Sequence, residues 1–516
     1  MKSAGIPGLG LGPGLPAAAG AGVLHALAFA PWNLPWLQVL ALAALFMLAA
    51  RTGSVRAAAL LGFAFGLGWF GVGVSWVYIS MHVYGLMPAV LAGAATAAFC
   101  AFLALYPALA LGLAHWLAPS PLMRLALVLP ACFALTDWLR GTLFTGFPWL
   151  AGGYAHTEGP LAGFAPVLGV TGIGLLAALL AGALALLSLP LARRGVHGTL
   201  WSAAVVASIL AGGLLLGSQR WTQPDGAPIR VKLVQANLPQ DQKFSAQGLV
   251  RAFDDHWALM QGERVDLVAL PESVFPVPLG FVPAHAIEAL RTFARERDSA
   301  IVFGVFIEEP GNAYFNSAVG LAPGKEGWQR YSKQQLVPFG EFIPPGFRWF
   351  IDLMRMPIGD QQRGAPDQRP MELAGQRIAV NICYEDLFGH VIRRAWHDPQ
   401  HAPTLMLNLS NLAWFDDSIA LAQHLQISRM RALETQHPML RATNTGATAI
   451  IDSAGRVTAQ LPFNTAAALV GEVQGQRGLT PWLRWGDAPA LALAVALLLG
   501  AVALRFRRPD RRGDSL

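Results

Sequence analysis

Residues 378–387 read Ile-Ala-Val-Asn-Ile-Cys-Tyr-Glu-Asp-Leu, and how the polar half of the chain folds turns on this stretch. Apolar and β-branched residues run as far as Ile382, the pattern of a buried strand, and then polarity changes abruptly. Tyr384, Glu385 and Asp386 suit a strand-to-helix turn, so the strand delivers Cys383 to the edge of a sheet. The other two cysteines, Cys100 and Cys132, lie in long apolar segments, so Cys383 has no disulfide partner in its own domain. A lone cysteine is commonly a small buried hydrophobe. Charged islands at two other strand ends favour a chemical role here.

Working outward, the chain of 516 residues divides by charge. Only 13% of its residues are charged, against about 25% in an ordinary soluble protein. Most of these charges fall within 218–485, a stretch long enough for a globular domain with its own core. The expected organisation is a membrane domain over 1–217 with seven transmembrane helices, a globular domain over 218–485, and an eighth transmembrane helix with a basic tail over 486–516. The apolar segments lie near 9–30, 36–50, 56–80, 87–116, 122–139, 161–189, 199–217 and 488–504. A span takes about 20 apolar residues, so the second is short and the fourth must tilt or kink. The first is not read as a cleaved signal, because it runs through Pro31-Trp-Asn-Leu-Pro-Trp36 into another apolar segment.

Lys2, Arg51, Arg56, Arg124, Arg193, Arg194 and the tail arginines Arg505, Arg507, Arg508, Arg511 and Arg512 fall on one side of these spans. The short loops of the other side carry only Arg140. Positive-inside bias therefore puts both termini in the cytoplasm and the globular domain outside it. The formal charge of +6 has this topological explanation, so nucleic acid is not expected as a partner. Asp137 and Arg140 read as an i,i+3 ion pair at a helix end. The aromatic loop that follows, Thr145-Gly-Phe-Pro-Trp-Leu150, fits an interfacial anchor or a lid, with Trp149 a substrate-binding candidate.

In the globular domain, strands are expected at 229–236, 265–271, 300–307, 314–321, 378–383, 404–409, 441–451 and 467–473, and helices at 246–261, 284–297, 387–397 and 419–435. This alternation predicts an α/β layered fold. Asp452-Ser-Ala-Gly455 reads as a hairpin turn. Glu272 follows the apolar run Val265-Asp-Leu-Val-Ala-Leu-Pro271, and Lys333 opens Lys333-Gln-Gln-Leu-Val-Pro-Phe-Gly-Glu341. Each alone would pass for a solvated loop residue. With Cys383 they make a usable set: a thiolate nucleophile, a carboxylate that takes and returns its proton, and an ammonium for the developing oxyanion. No His/Cys cluster has metal-ligand spacing, so neither a metal nor a dissociable cofactor is expected.

These motifs resemble the carbon–nitrogen hydrolase (nitrilase) superfamily, which implies an αββα sandwich and a Glu-Lys-Cys triad. Essentially the whole chain resembles the apolipoprotein N-acyltransferase family, through the membrane layout and the motifs Gly146-Phe-Pro-Trp149, Gln235-Ala-Asn-Leu-Pro-Gln240, Pro271-Glu-Ser273, Lys333–Glu341, Cys383-Tyr-Glu385 and Arg441-Ala-Thr-Asn-Thr-Gly446. The resemblance implies Glu272 as general base, Lys333 as oxyanion stabiliser and Cys383 as nucleophile, with Glu341, Tyr384 and Glu385 in supporting roles. It implies a phospholipid donor, phosphatidylethanolamine, a diacylglyceryl apolipoprotein acceptor, and a monomer in the bacterial inner membrane with its catalytic domain periplasmic. The apolar loops at Phe339 and at Trp414-Phe415 suit a site that excludes water, and these three aromatics join Trp149 as substrate-binding candidates. Three positions depart from the family pattern: Phe244 in place of a tryptophan, Asp416 in place of a glycine, and His437 within Glu434-Thr-Gln-His-Pro438. Two rivals are a membrane-anchored amidase acting on a soluble substrate, and a transporter with a sensor domain. The second would need charges or breaks within the spans.

Overall fold

The computed structural model describes residues 11–118, 120–240, 246–311, 313–348 and 360–506. Lys2, Phe244, Arg507, Arg508, Arg511 and Arg512, used above, lie outside them. The chain forms two compact units: Met1–Ser75 with Gly93–Gln219 and Trp485–Leu516, and Trp76–Ala92 with Arg220–Arg484. Segment 76–92, grouped by its sequence with the membrane part, belongs to the second unit. There the Trp76 indole N–H donates to Gln423 (3.2 Å) and the Ser80 hydroxyl donates to the Trp414 carbonyl (2.8 Å).

The first unit is helical. Among the described residues, five helices are long and apolar enough to cross a membrane: Val55–Gly73, Ala89–Leu117, Pro121–Arg140, Pro160–Leu187 and Leu191–Gly217. Pro35–Ala50 and Ala488–Leu504 are apolar but shorter, and the first helix, Leu11–Ala26, has 16 residues. Pro107 interrupts the fourth apolar segment from inside its helix, a place where a proline removes one backbone hydrogen bond. Small residues set the packing, as between membrane helices generally. A Cβ on Gly22 would lie 2.0 Å from the Phe65 carbonyl oxygen, and one on Gly68 would lie 2.1 Å from that of Ala19. The Asp137–Arg140 pair forms (2.6 Å), and its arginine is only 1% exposed. Arg140 also donates to the carbonyls of Phe147 and Trp149, while Asp137 accepts from the Gly152 amide (2.9 Å). The pair thus fixes the aromatic loop from both sides.

The second unit carries the strands β1 Thr222–Pro224, β2 Ile229–Gln235, β3 Leu267–Ala269, β4 Phe275–Pro278, β5 Ala300–Glu309, β6 Ala313–Leu321, β7 Gln329–Ser332, β8 Met371–Leu373, β9 Gln376–Ile382, β10 Leu405–Ser410, β11 Met439–Thr443, β12 Ala449–Ile451, β13 Val457–Gln460, β14 Ala467–Val473 and β15 Gln476–Gly478. One sheet runs β14-β2-β3-β5-β6-β7, with β4 beside β5; the other runs β13-β12-β11-β10-β9-β8; β1 and β15 form a ribbon. Each large sheet has a parallel centre, β2-β3-β5 in one and β9-β10-β11 in the other.

Strand alternation sorts the side chains into layers. On β9 and β10, Ile378, Val380, Ile382, Leu405, Leu407 and Leu409 join Leu233, Leu267, Ala269 and Val302 of the other sheet in one core. The opposite faces make two further cores. Val268, Ile301 and Phe303 pack on Leu290 and Phe293 of helix Ala284–Arg297, and Ala379, Met406 and Met439 pack with Leu425 and Ala432 of helix Ile419–Thr435. The layers are therefore helix, sheet, sheet, helix, as the nitrilase resemblance implies. Ser418 caps the latter helix through its side-chain oxygen, which satisfies one of the orphan N–H groups.

Two expected elements differ. The single strand at 441–451 is two antiparallel strands, β11 and β12. The helix at 387–397 shortens to Gly389–Arg394, because Cys383–Leu387 forms a 3₁₀ turn. The predicted hairpin forms: the Asp452 amide donates to the Arg456 carbonyl, and Gly455 takes a positive φ of 71°.

Candidate active site

The strands end at the residues that carry chemistry. Glu272 follows β3 after Leu270 and Pro271. Lys333 follows β7 directly, Cys383 follows β9, Asn411 follows β10 and Asn444 follows β11. The backbone turns sharply at the cysteine, where φ is +51°. A non-glycine residue in the left-handed region costs of order 1 kcal/mol, and such strain persists only where the surroundings over-determine it.

Glu272, Lys333, Glu341 and Asn316 form a closed polar cluster. Lys333 Nζ lies 2.7 Å from Glu341 Oε1 and 3.4 Å from Glu272 Oε1. The Asn316 amide donates to Glu272 Oε1 at 2.8 Å and to Glu341 Oε1 at 3.0 Å. Glu272 Oε2 accepts from the Asn411 backbone N–H (2.9 Å), and Glu341 Oε2 accepts from that of Val337 (2.8 Å). Both carboxylates are thus oriented at both oxygens. Burial alone would lower the Lys333 pKa, but the carboxylates of Glu341 and Glu272 outweigh it and hold the ammonium well above its usual range. Cys383 feels the same charges. Burial first, then the Glu272 carboxylate, pushes its thiol well above the ordinary value, while Lys333 pulls it back. Cys383 is partly accessible, whereas Cys100 and Cys132 are buried. Cys383 thus lies within electrostatic reach of both the Glu272 carboxylate and the Lys333 ammonium.

Glu385 is fully buried and ties the cysteine turn to the lysine segment. It accepts from the backbone N–H groups of Ile382 (2.7 Å), Gln334 (2.6 Å) and Gln335 (3.1 Å) and from the Tyr331 hydroxyl (2.9 Å). Burial, its largest influence, raises its pKa to about 7 against the opposing pull of these backbone donors. Tyr384 is buried edge-on against Phe388, with ring centroids 5.0 Å apart. Phe339 is exposed and meets Phe347 edge to face. Trp414 is exposed beside Tyr84, and Phe415 packs on Trp76 (4.6 Å). Trp149, buried, belongs to the helical unit. Of the departures, Asp416 has a φ of +49°, a conformation that favours the family's glycine, and His437 is buried with its ring 5.0 Å from that of Trp396.

Sequence reasoning missed several participants. Asn316 is a single buried amide inside β6, and its only signal was polarity within an apolar strand. The Asn411 side chain donates to Gln240 (2.8 Å) and accepts from Asn444 (3.1 Å), which also donates to the Leu238 carbonyl (2.8 Å). Motifs about 30 to 200 residues apart in the chain thus meet behind Glu272.

Comparison with known proteins covers both units. The family model for the apolipoprotein N-acyltransferase N-terminal domain matches residues 21–183, and that for carbon-nitrogen hydrolase matches 230–480. A protein of Ralstonia nicotianae named apolipoprotein N-acyltransferase is 49% identical over 496 residues, covering 95% of this chain and 94% of its own. Proteins of that name from Nitrosomonas europaea and Methylococcus capsulatus are 43% and 41% identical, over 94% and 96% of this chain and 96% of each relative. A solved amidase from Nesterenkonia sp. matches 51% of this chain and 95% of its own at 20% identity, with a TM-score of 0.36.

Proposed function

The chain belongs to the apolipoprotein N-acyltransferase family, and from that premise we propose that it acylates the N-terminal amine of diacylglyceryl-cysteine on apolipoproteins, using a membrane phospholipid as donor. It is an integral membrane protein. The observation that carries the mechanism is the buried Glu272–Lys333–Glu341–Asn316 cluster whose charges act on Cys383, a cysteine held at a strand end in a left-handed turn.

In the first half-reaction Glu272 takes the Cys383 proton as Sγ attacks an ester carbonyl, and a C–S bond forms. Lys333 faces the oxyanion, a donor worth about 3–4 kcal/mol in a dry site. Collapse breaks the ester C–O bond. Glu272 returns its proton to the leaving alcohol, so a lysophospholipid departs and a thioester remains. In the second half-reaction the lipoprotein amine attacks the thioester. Glu272 accepts a proton from nitrogen, the C–S bond breaks, and the proton returns to sulfur as the amide is released. Glu341, fixed by Val337 and Asn316, holds Lys333 in place through both steps.

In this reading the donor is phosphatidylethanolamine, taken at its sn-1 chain. The protein works as a monomer with eight spans in the inner membrane, the catalytic unit periplasmic and both termini cytoplasmic. The Lys/Arg asymmetry of the loops supports this orientation. An amidase that merely used its helices as an anchor would not need family similarity through residues 21–183.

The test is an acyl label. Protein incubated with labelled phospholipid should carry a hydroxylamine-sensitive label that Cys383→Ala abolishes and that Cys100→Ala and Cys132→Ala leave intact. Cys383→Ser should nearly abolish it, because a hydroxyl is the weaker nucleophile at neutral pH. Wild-type labelling by Cys383→Ala would end this mechanism.

A further inference from the structure

Cys383 and the three residues after it make a turn with two carboxylates pointing apart. Glu385 reaches the lysine segment, as described. Asp386 reaches the other way, into a fully buried cluster that the mechanism does not use. Its Oδ2 accepts from the Ser428 hydroxyl (2.5 Å) and from Arg441 Nη1 (3.1 Å), and its Oδ1 lies 2.9 Å from His424 Nε2. Arg441 Nη2 meets His424 Nδ1 at 2.7 Å, Nη1 also donates to Ser428, and Nε donates to the Ala447 carbonyl (3.2 Å). Because an arginine only donates, His424 Nδ1 accepts, which leaves the proton of the neutral ring on Nε2. Burial keeps that ring neutral, so the cluster balances one carboxylate against one guanidinium. Ser428 and His424 stand on helix Ile419–Thr435 and Arg441 on β11. The Asn408 side chain completes the restraint by donating to the Cys383 carbonyl (3.2 Å).

We propose that Asp386, His424 and Arg441 form a positioning network that clamps the Cys383 turn from behind and holds the nucleophile in its strained, left-handed conformation. This inference deepens the acyl-transfer reading and rests on it. A turn at φ +51° relaxes unless it is tied on both sides. Glu385 supplies one tie and Asp386 the opposing one. The network also gives a reason for an arginine at the start of the Arg441–Gly446 motif: it is the counter-charge of a residue three beyond the nucleophile. All three act through the Cys383 turn.

The experiment follows formation of the thioester with time in the full-length protein, separating its rate constant from its final amplitude. Asp386→Asn removes the charge that answers Arg441, and His424→Gln breaks the ring contacts without leaving a new charge unpaired. If Asp386→Asn does not fold, His424→Gln decides alone. The expected result for a folded variant is a rate constant lowered at least about tenfold, with unchanged amplitude and an unchanged half-saturating phospholipid concentration. A wild-type rate constant overturns the proposal. So does a lowered amplitude with an unchanged rate constant, which is what partial unfolding alone would give. Failure of the wild-type protein to label at all would instead refute the acyl-transfer reading itself.

Discussion

Cys383 and Glu272 make opposite demands on one proton, and a single substitution separates them. The Glu272 carboxylate helps hold the thiol protonated at rest, yet it is also the group proposed to take that proton during attack. Glu272→Gln removes a negative charge, so the thiol pKa must fall and more thiolate must be present at pH 7. Alkylation of Cys383 by iodoacetamide should therefore quicken in Glu272→Gln while acylation by phospholipid is lost. Parallel loss of both reactions would contradict the assigned role. Glu272 and Cys383 stood out in the sequence because each follows an apolar run, whereas Lys333 follows Gln329-Arg-Tyr-Ser332 and stood out by the apolar, turn-rich stretch after it. Asn316 did not, because one amide in a strand has no periodicity, and its role exists only where β6 passes Glu272 and Glu341. The Asp386–His424–Arg441 cluster was hidden for the same reason: its members are 17 to 55 residues apart in the chain.

The 3₁₀ turn Ala413–Phe415 and the segment Trp76–Ala92 lean on one another through Trp76, Ser80 and Tyr84. Trp414 and Phe415 then stand as candidates for the acceptor entrance. Trp414→Ala and Phe415→Ala should form the thioester at near wild-type rate but pass it to a diacylglyceryl-cysteine peptide at least about tenfold more slowly. Loss of labelling as severe as in Cys383→Ala would assign these aromatics to the donor pocket or the core. The sequence showed neither the partnership nor the membership of 76–92 in the globular unit, since an apolar run between two long helices looks like a continuation of either. It did show the strands at 378–383 and 404–409, where apolar residues run unbroken and the structure has Gln376–Ile382 and Leu405–Ser410. It merged β11 with β12, because the turn between them is spelled Asn-Thr-Gly inside a longer motif and the run resumes at once.

For the molecule as a whole, the proposed chemistry makes the membrane part necessary, since both substrates keep their tails in the bilayer. A reporter fused after Leu216 should be extracytoplasmic and one fused after Arg508 cytoplasmic; the reverse pattern would overturn the orientation drawn from the Lys/Arg asymmetry. The αββα layering followed from alternation and resemblance together. Helix number was harder to read, because Leu11–Ala26 and Pro35–Ala50, at 16 residues each, are shorter than a membrane crossing usually takes. The central claim is that one cysteine carries the acyl chain between two lipids, and a two-stage labelling experiment tests it most directly. Purified protein is given acyl-labelled phospholipid with no acceptor, and a diacylglyceryl-cysteine peptide is added later. The account predicts that hydroxylamine-sensitive label accumulates on Cys383, persists, and on addition of the peptide moves into a hydroxylamine-resistant amide. Label that never accumulates without the peptide, or that leaves only as free fatty acid when the peptide is added, would contradict it.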